Sequence, residues 1–145
     1  MIVGVRLESA GGERRVAATP DSVKQLTGDG LTVLVERGAG ARAGYPDPDY
    51  SAAGATLVAA IDFAKLDVLA HVAPLDAATA KKLKAGTITV GLLSPASNLG
   101  LVKALRDARI TSFALELVPR ISRSQSMDAL TSQALVAGYR CVLEA

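Results

Sequence analysis

The densest set of hydrogen-bonding side chains in this sequence lies in the ten residues 119–128. They include two arginines, one glutamine, one aspartate and three serines, with no histidine, cysteine or aromatic residue. These groups can orient a polar ligand, but they lack the nucleophile and the acid–base pair that hydrolysis needs. Two interpretations follow: a solvated loop that ends in a helix cap, or a recognition loop of an α/β domain.

The sequence around this loop predicts alternating strands and helices. Apolar runs predict five main strands and one brief extended piece, at residues 2–7, 31–36, 67–72, 87–93, 110–115 and 55–58. Helices are predicted at residues 19–28, 47–53, 76–83 and 99–108. Thr19 and Pro20 form a typical helix start, with the threonine as cap and the proline in the first turn. We therefore expect a mostly parallel open sheet with helices on both faces and a flavodoxin or Rossmann-like topology.

The polar loop follows the last predicted strand and precedes a terminal helix. Open α/β sheets bind their ligands at the carboxyl ends of the strands, which favours the recognition interpretation. Apolar residues recur at three- and four-residue steps after the loop and predict a buried helix face with Cys141 in the core. We expect residues 1–125 to form the α/β domain and residues 126–145 a terminal helix. That helix has no glycine or proline stop, so the chain is expected to be a fragment of a longer protein.

A second motif invites a different function. Residues 38–43 match the dinucleotide pattern G-x-G-x-x-G/A and follow a predicted strand. A true fingerprint opens a helix whose first turn holds the pyrophosphate. Here Gly44, Pro46 and Pro48 follow, and proline within a helix costs about 3 kcal/mol. We predict a loop and no true dinucleotide fingerprint.

Composition excludes several other classes. The chain has 16 basic and 14 acidic residues in a well-mixed order, which argues against a nucleic-acid interface. A single cysteine and a single histidine, His71, exclude a disulfide and argue against a metal centre. A lone histidine without an orienting partner is more often packed than catalytic. The sequence has no signal peptide and no apolar run near the roughly 20 residues that span a bilayer, so we expect a soluble cytoplasmic domain.

The sequence resembles the N-terminal domain of the α subunit of proton-translocating NAD(P) transhydrogenases, in the alanine dehydrogenase/transhydrogenase N-terminal family. Three segments are shared more loosely with alanine dehydrogenases: ERRVAATP at 13–20, VERGAG at 35–40 and APLD at 73–76. Two segments are typical of transhydrogenases alone: VPRISRSQSMD at 118–128 and AGYR at 137–140. The resemblance spans essentially the whole chain.

The resemblance implies a role for the polar loop. In this family an Arg-Gln-Asp loop lies over the nicotinamide of bound NAD(H), and the matching positions are Arg120, Gln125 and Asp128. Arg120 and Asp128 would orient the carboxamide, and Gln125 would reach toward the partner nucleotide. A serine that helps the family's site corresponds to Thr131. Hydride transfer needs two rings held face to face, and no protein acid or base, which suits such a loop.

The resemblance also implies what lies outside these residues. In the family a second, Rossmann domain holds most of the NAD(H), NADP(H) is bound by a partner subunit, and protons cross separate membrane domains. The 145 residues alone are therefore expected to bind nucleotide weakly or not at all, and to catalyse no hydride transfer. The full subunits are expected to form a homodimer that is peripheral to the inner membrane through the complex, without inserting into it.

Two alternatives stay open. Alanine dehydrogenases carry a lysine on the third main strand and a histidine after the fourth, where this sequence has Val72 and Ser94. His71 is one residue out of register, and neighbours on a strand face opposite ways. Amino-acid oxidation therefore lacks an obvious anchor and acid–base group. The other alternative is a stand-alone, non-enzymatic α/β module that binds a ligand or partner through the same loop.

Overall fold

The computed structural model describes all 145 residues as one α/β sheet domain with a projecting terminal helix. Six strands form the sheet: β1 (Ile2–Val5), β2 (Thr32–Glu36), β3 (Thr56–Val58), β4 (Val68–Ala70), β5 (Ile88–Gly91) and β6 (Thr111–Ala114). Five α-helices accompany it: α1 (Pro20–Gly28), α2 (Asp47–Ala52), α3 (Ala77–Ala80), α4 (Leu99–Asp107) and α5 (Ala129–Glu144). None of these helices is both long enough and apolar enough to cross a membrane.

All neighbouring strands are parallel, in the order β3-β2-β1-β4-β5-β6. This is the Rossmann order, in which the chain reverses direction across the sheet between β1 and β4. The predicted α/β class is confirmed. The extended piece at 55–58 proves to be a true strand, β3, which pairs with β2 at the edge of the sheet. The sequence signal for β3 is weak because the strand is only three residues long.

Each face of the sheet carries its own hydrophobic core. Val3 and Val5 of β1 point to one face, where the buried residues of α1 and α2, Val23 and Tyr50, cover them. Leu69 of β4 points to the other face, which α3 and α4 cover. The strands are thus buried on both sides, as parallel strands usually are.

Two predicted helices differ from the structure. The helix expected at 76–83 ends at Ala80, because the next turn tightens to i to i+3 hydrogen bonds that bring Leu83 into the core. The terminal helix does form, but none of its residues is buried. Cys141 is exposed, so its predicted core position is wrong. The large apolar side chains left exposed on this helix are Leu130, Leu135, Val136, Tyr139, Val142 and Leu143.

Candidate functional site

The polar loop is ordered by two short 3-10 helices between β6 and α5. The first, Leu115–Leu117, follows β6 directly, and the second, Ser122–Met127, leads into α5. The Ser124 N–H donates to the Ile121 carbonyl over 2.9 Å and starts the second 3-10 turn. The loop therefore has a defined backbone: Gln125 projects from the second 3-10 helix, and Arg120 lies just before it.

All four predicted site residues line one cavity of about 240 Å³. Seven residues form its walls, and six of them are polar. The structure thus brings together residues that the sequence spreads over twelve positions. The lining residues are Arg120, Ile121, Ser122, Ser124, Gln125, Asp128 and Thr131.

Asp128 is both a wall of the cavity and the N-cap of α5. Its Oδ1 accepts the Thr131 N–H over 2.9 Å, and its Oδ2 accepts the Thr131 hydroxyl. The hydrogen bond from the Thr131 hydroxyl, then that from its backbone N–H, lowers the pKa of Asp128, with a smaller contribution from the charge of Arg120. The carboxylate is therefore anionic at neutral pH. The helix-cap interpretation and the ligand interpretation apply to the same residue.

Arg120 and Gln125 contrast with Asp128 because their side chains form no hydrogen bond or ion pair within the chain. Both are exposed and reach into the same cavity. The guanidinium supplies several donors, and the amide supplies both a donor group and an acceptor. Thr131 differs again, since its hydroxyl is bonded to Asp128. Its predicted direct contact with a cofactor stays a prediction.

A second set of carboxylates occupies the carboxyl edge of the sheet. Glu8, after β1, is 3% exposed and accepts the backbone N–H groups of Val72 and Ala73, after β4, over 2.6 and 3.2 Å. Glu116, after β6, accepts those of Leu93 and Ser94, after β5. The sequence interpretation missed both residues, although each lies just beyond an apolar strand run.

These carboxylates bear on dinucleotide binding. The crevice between β1 and β4 is where a Rossmann sheet of this order places its pyrophosphate. Glu8 takes up backbone N–H groups there and adds negative charge, which disfavours a phosphate.

The glycine-rich segment does not open an α-helix. Residues 38–43 form a turn and one 3-10 turn, Ala41–Ala43, that ends at Gly44 with φ 88°. The prediction of a loop without a true fingerprint is confirmed.

His71 lies just after β4 and is buried at 3% exposure. Its Nδ1 donates to the Ala73 carbonyl over 2.9 Å, so Nε2 is the acceptor nitrogen, and Nε2 has no partner in the chain. Burial lowers the pKa of His71, so the ring is neutral at pH 7. A Cβ at Gly91 would lie 2.5 Å from Nδ1, so the ring packs tightly on β5. This is the packed histidine that the sequence favoured.

One polar link joins α5 to the loop after β1. Arg15 is held by Glu13 over 2.7 Å, and its Nη1 donates to the Gln133 Oε1 over 3.1 Å. The hydrogen bond from Arg15 is the main cause that lowers the pKa of Glu13 to about 2. The link lies on the side of α5 that faces the sheet domain.

Comparisons with known proteins agree with this architecture. The sequence model of the alanine dehydrogenase/PNT N-terminal domain matches residues 4–137. The chain belongs to this family. The crystal structure of transhydrogenase from Sinorhizobium meliloti superposes with a TM-score of 0.95 at 40% identity, covering 100% of this chain and 44% of that one.

Relatives within the family differ in the share of this chain that they cover. The NAD(P) transhydrogenase subunit alpha of Cereibacter sphaeroides is 42% identical over 100% of this chain and 28% of its own length. The same subunit of Haemophilus influenzae is 39% identical, again over 100% of this chain and 28% of its own length. A solved L-alanine dehydrogenase covers only 80% of this chain, with TM-score 0.76 and 31% identity. The family domain described here thus spans less than half the length of these relatives and is more similar to the transhydrogenases.

Proposed function

We propose that this chain is the N-terminal domain of the NAD(H)-binding α subunit of a proton-translocating NAD(P) transhydrogenase. That enzyme transfers hydride between NAD(H) and NADP(H), the latter on a partner subunit. The observation that carries the proposal is the cavity in which unpartnered Arg120 and Gln125 side chains lie beside the ionised Asp128. A site of polar hydrogen-bonding groups on an ordered loop, without a free acid or base, suits a reaction that depends on orientation.

The residues fit a nicotinamide carboxamide. Arg120 can donate to the amide oxygen, and Asp128 can accept an amide N–H with lone pairs that Thr131 leaves free. Together they would fix the ring plane, while Gln125 extends toward the second nucleotide. When bound, the nicotinamide supplies the hydride chemistry, and the protein supplies binding and orientation. Thr131 would hold the Asp128 carboxylate in place.

The proposal assigns the remaining tasks elsewhere. Residues 1–125 would form the sheet domain, and residues 126–145 would lead toward a second domain that holds most of the nucleotide. Partner subunits would bind NADP(H) and conduct protons, and a homodimer of full-length subunits would lie at the inner membrane through them. Amino-acid oxidation is not proposed, because Val72 and Ser94 carry no group that could act as acid or base.

Arg120→Ala in the assembled transhydrogenase tests the assignment. Loss of one charge-assisted hydrogen bond, worth about 1.5–3 kcal/mol, should slow hydride transfer roughly 10- to 150-fold while nucleotide binding weakens much less. Arg123→Ala is the matched control, since Arg123 is in the same loop, within the 3-10 helix that follows Arg120, but does not line the cavity. Unchanged turnover in Arg120→Ala would show that this loop does not serve the nicotinamide, and would favour a non-enzymatic module.

Isothermal titration of the isolated 145 residues with NADH tests the division of labour. Weak or no binding is expected, since the carboxyl edge at β1 and β4 is occupied by Glu8 and the cavity addresses only one end of the cofactor. Micromolar binding would contradict this aspect of the proposal.

A further inference from the structure

Ser124 differs from its neighbours in the polar loop. It is 6% exposed, whereas Arg123 and Gln125 on either side are exposed. Its backbone N–H is bonded to the Ile121 carbonyl, but its Oγ has no partner within the chain. Ser124 lines the same cavity as Arg120 and Asp128. The hydroxyl is therefore a free polar group in the cavity wall that a ligand can reach.

Counting donors and acceptors indicates what this hydroxyl would bind. A primary carboxamide has one acceptor oxygen and two N–H donors. Arg120 has only donors and suits the oxygen, which leaves both N–H groups for acceptors. Asp128 can take one of them, because each of its oxygens keeps a free lone pair beside the hydrogen bond from Thr131, but the two N–H bonds of a planar carboxamide point in different directions. The other N–H needs an acceptor in the cavity wall.

We propose that the Ser124 Oγ accepts the second amide N–H of the nicotinamide carboxamide, as a further cofactor-binding group beside Arg120 and Asp128. This inference rests on the proposed function. The Ser124 Oγ is not a buried unsatisfied atom, so water can reach it in the free domain and folding loses no hydrogen bond there. A ligand N–H that replaces this water on the hydroxyl gains one neutral hydrogen bond in the site.

The test is Ser124→Ala in the assembled transhydrogenase, with Ser126→Ala as the matched control because Ser126 is exposed and outside the cavity. The KM is measured for NAD and for an NAD analogue in which the carboxamide NH2 is replaced by methyl. For NAD, Ser124→Ala should raise the KM about three- to tenfold, the range of one neutral hydrogen bond, and Ser126→Ala should not. For the methyl analogue, which has no N–H to donate, Ser124→Ala should leave the KM unchanged.

Thermal unfolding without nucleotide separates a binding role from a structural one. Ser124→Ala should leave the melting temperature unchanged or raise it, since no hydrogen bond within the chain is lost. An equal KM change for NAD and the analogue, an unchanged KM for NAD, or a lower melting temperature would overturn the inference. If Arg120→Ala still slows turnover in that case, the proposed function stands and only the Ser124 contact fails. If Arg120→Ala is also silent, the proposed function itself fails.

Discussion

Replacing Glu8 with alanine should destabilise the domain more than any surface substitution. The Glu8 carboxylate is buried after β1, and both of its oxygens accept backbone N–H groups of the segment after β4. The acceptors are thus supplied across the point where the strand order reverses. Alanine removes both at once and leaves the N–H groups of Val72 and Ala73 without partners.

The magnitude follows from those two groups. A fully buried N–H left unpaired costs about 1–3 kcal/mol; Val72 and Ala73 are only partly buried, so water that enters the vacated space recovers some of this cost. We expect a net loss of about 3 kcal/mol in the free energy of unfolding, a large share of the roughly 5–15 kcal/mol typical of a domain. For a chain of this size, the melting temperature should fall by about 10 °C.

Urea unfolding of Glu8→Ala, Glu8→Gln and Glu144→Ala provides the measurement. Glutamine keeps one acceptor oxygen but turns an NH2 group toward the other N–H, so it should recover a fraction of the loss. Glu144 is exposed in an i,i+4 pair with Arg140, and its removal should cost less than about 0.5 kcal/mol. If the free energy of unfolding of Glu8→Ala lies within about 0.5 kcal/mol of that of the unaltered chain, the carboxylate does not hold the two segments together and the reasoning is wrong.

Three further predictions concern single side chains. Because the pKa of His71 is lower in the folded chain than its ordinary 6.5, the unfolded state binds more protons, so stability should fall as pH drops below about 6.5; His71→Asn should flatten that slope in urea titrations above the carboxylate range. Tyr50→Phe removes the hydroxyl that donates to the Ala18 carbonyl over 2.9 Å, and should cost about 1–2 kcal/mol in the same assay without changing the denaturant dependence. Asp128→Asn keeps an oxygen for the Thr131 N–H but loses the charge, so far-ultraviolet circular dichroism should be unchanged, and on the proposed function hydride transfer by the assembled transhydrogenase should slow; a loss of helix signal would show that the charge serves the cap.

Local sequence signals predicted the elements with strong boundaries. Thr19 caps α1 as expected, with its hydroxyl accepting the Ser22 N–H, because threonine before proline satisfies a first-turn donor at little cost. Gly38 and Gly40 lie in a loop as predicted, because the prolines that follow exclude the helix that a dinucleotide fingerprint needs. In both cases the deciding interactions lie within a few residues.

Features that depend on distant segments could not be predicted in this way. β3 forms because it pairs with β2, and α3 ends early because Leu83 packs into the core. The periodic apolar residues around Cys141 do form one face of a helix, but this face is exposed. Periodicity predicts an apolar helix face and does not show whether another segment covers it. Glu8 and Glu116 were missed because a glutamate after a strand has no local signature for its long-range N–H partners.

The cavity couples the polar loop to α5, because both supply its walls. Two walls of the cavity, Asp128 and Thr131, belong to the cap and first turn of α5, while Arg120 and Ser124 belong to the segment before it. A tilt of α5 would therefore change the separation of the carboxylate from the guanidinium. Within the chain α5 is tied mainly at its start, by the turn at 115–117 and by the exposed Arg15 link to Gln133, which is weak. Contacts on its apolar surface would consequently act on the site through Asp128, because the residue that begins the helix also faces the cavity.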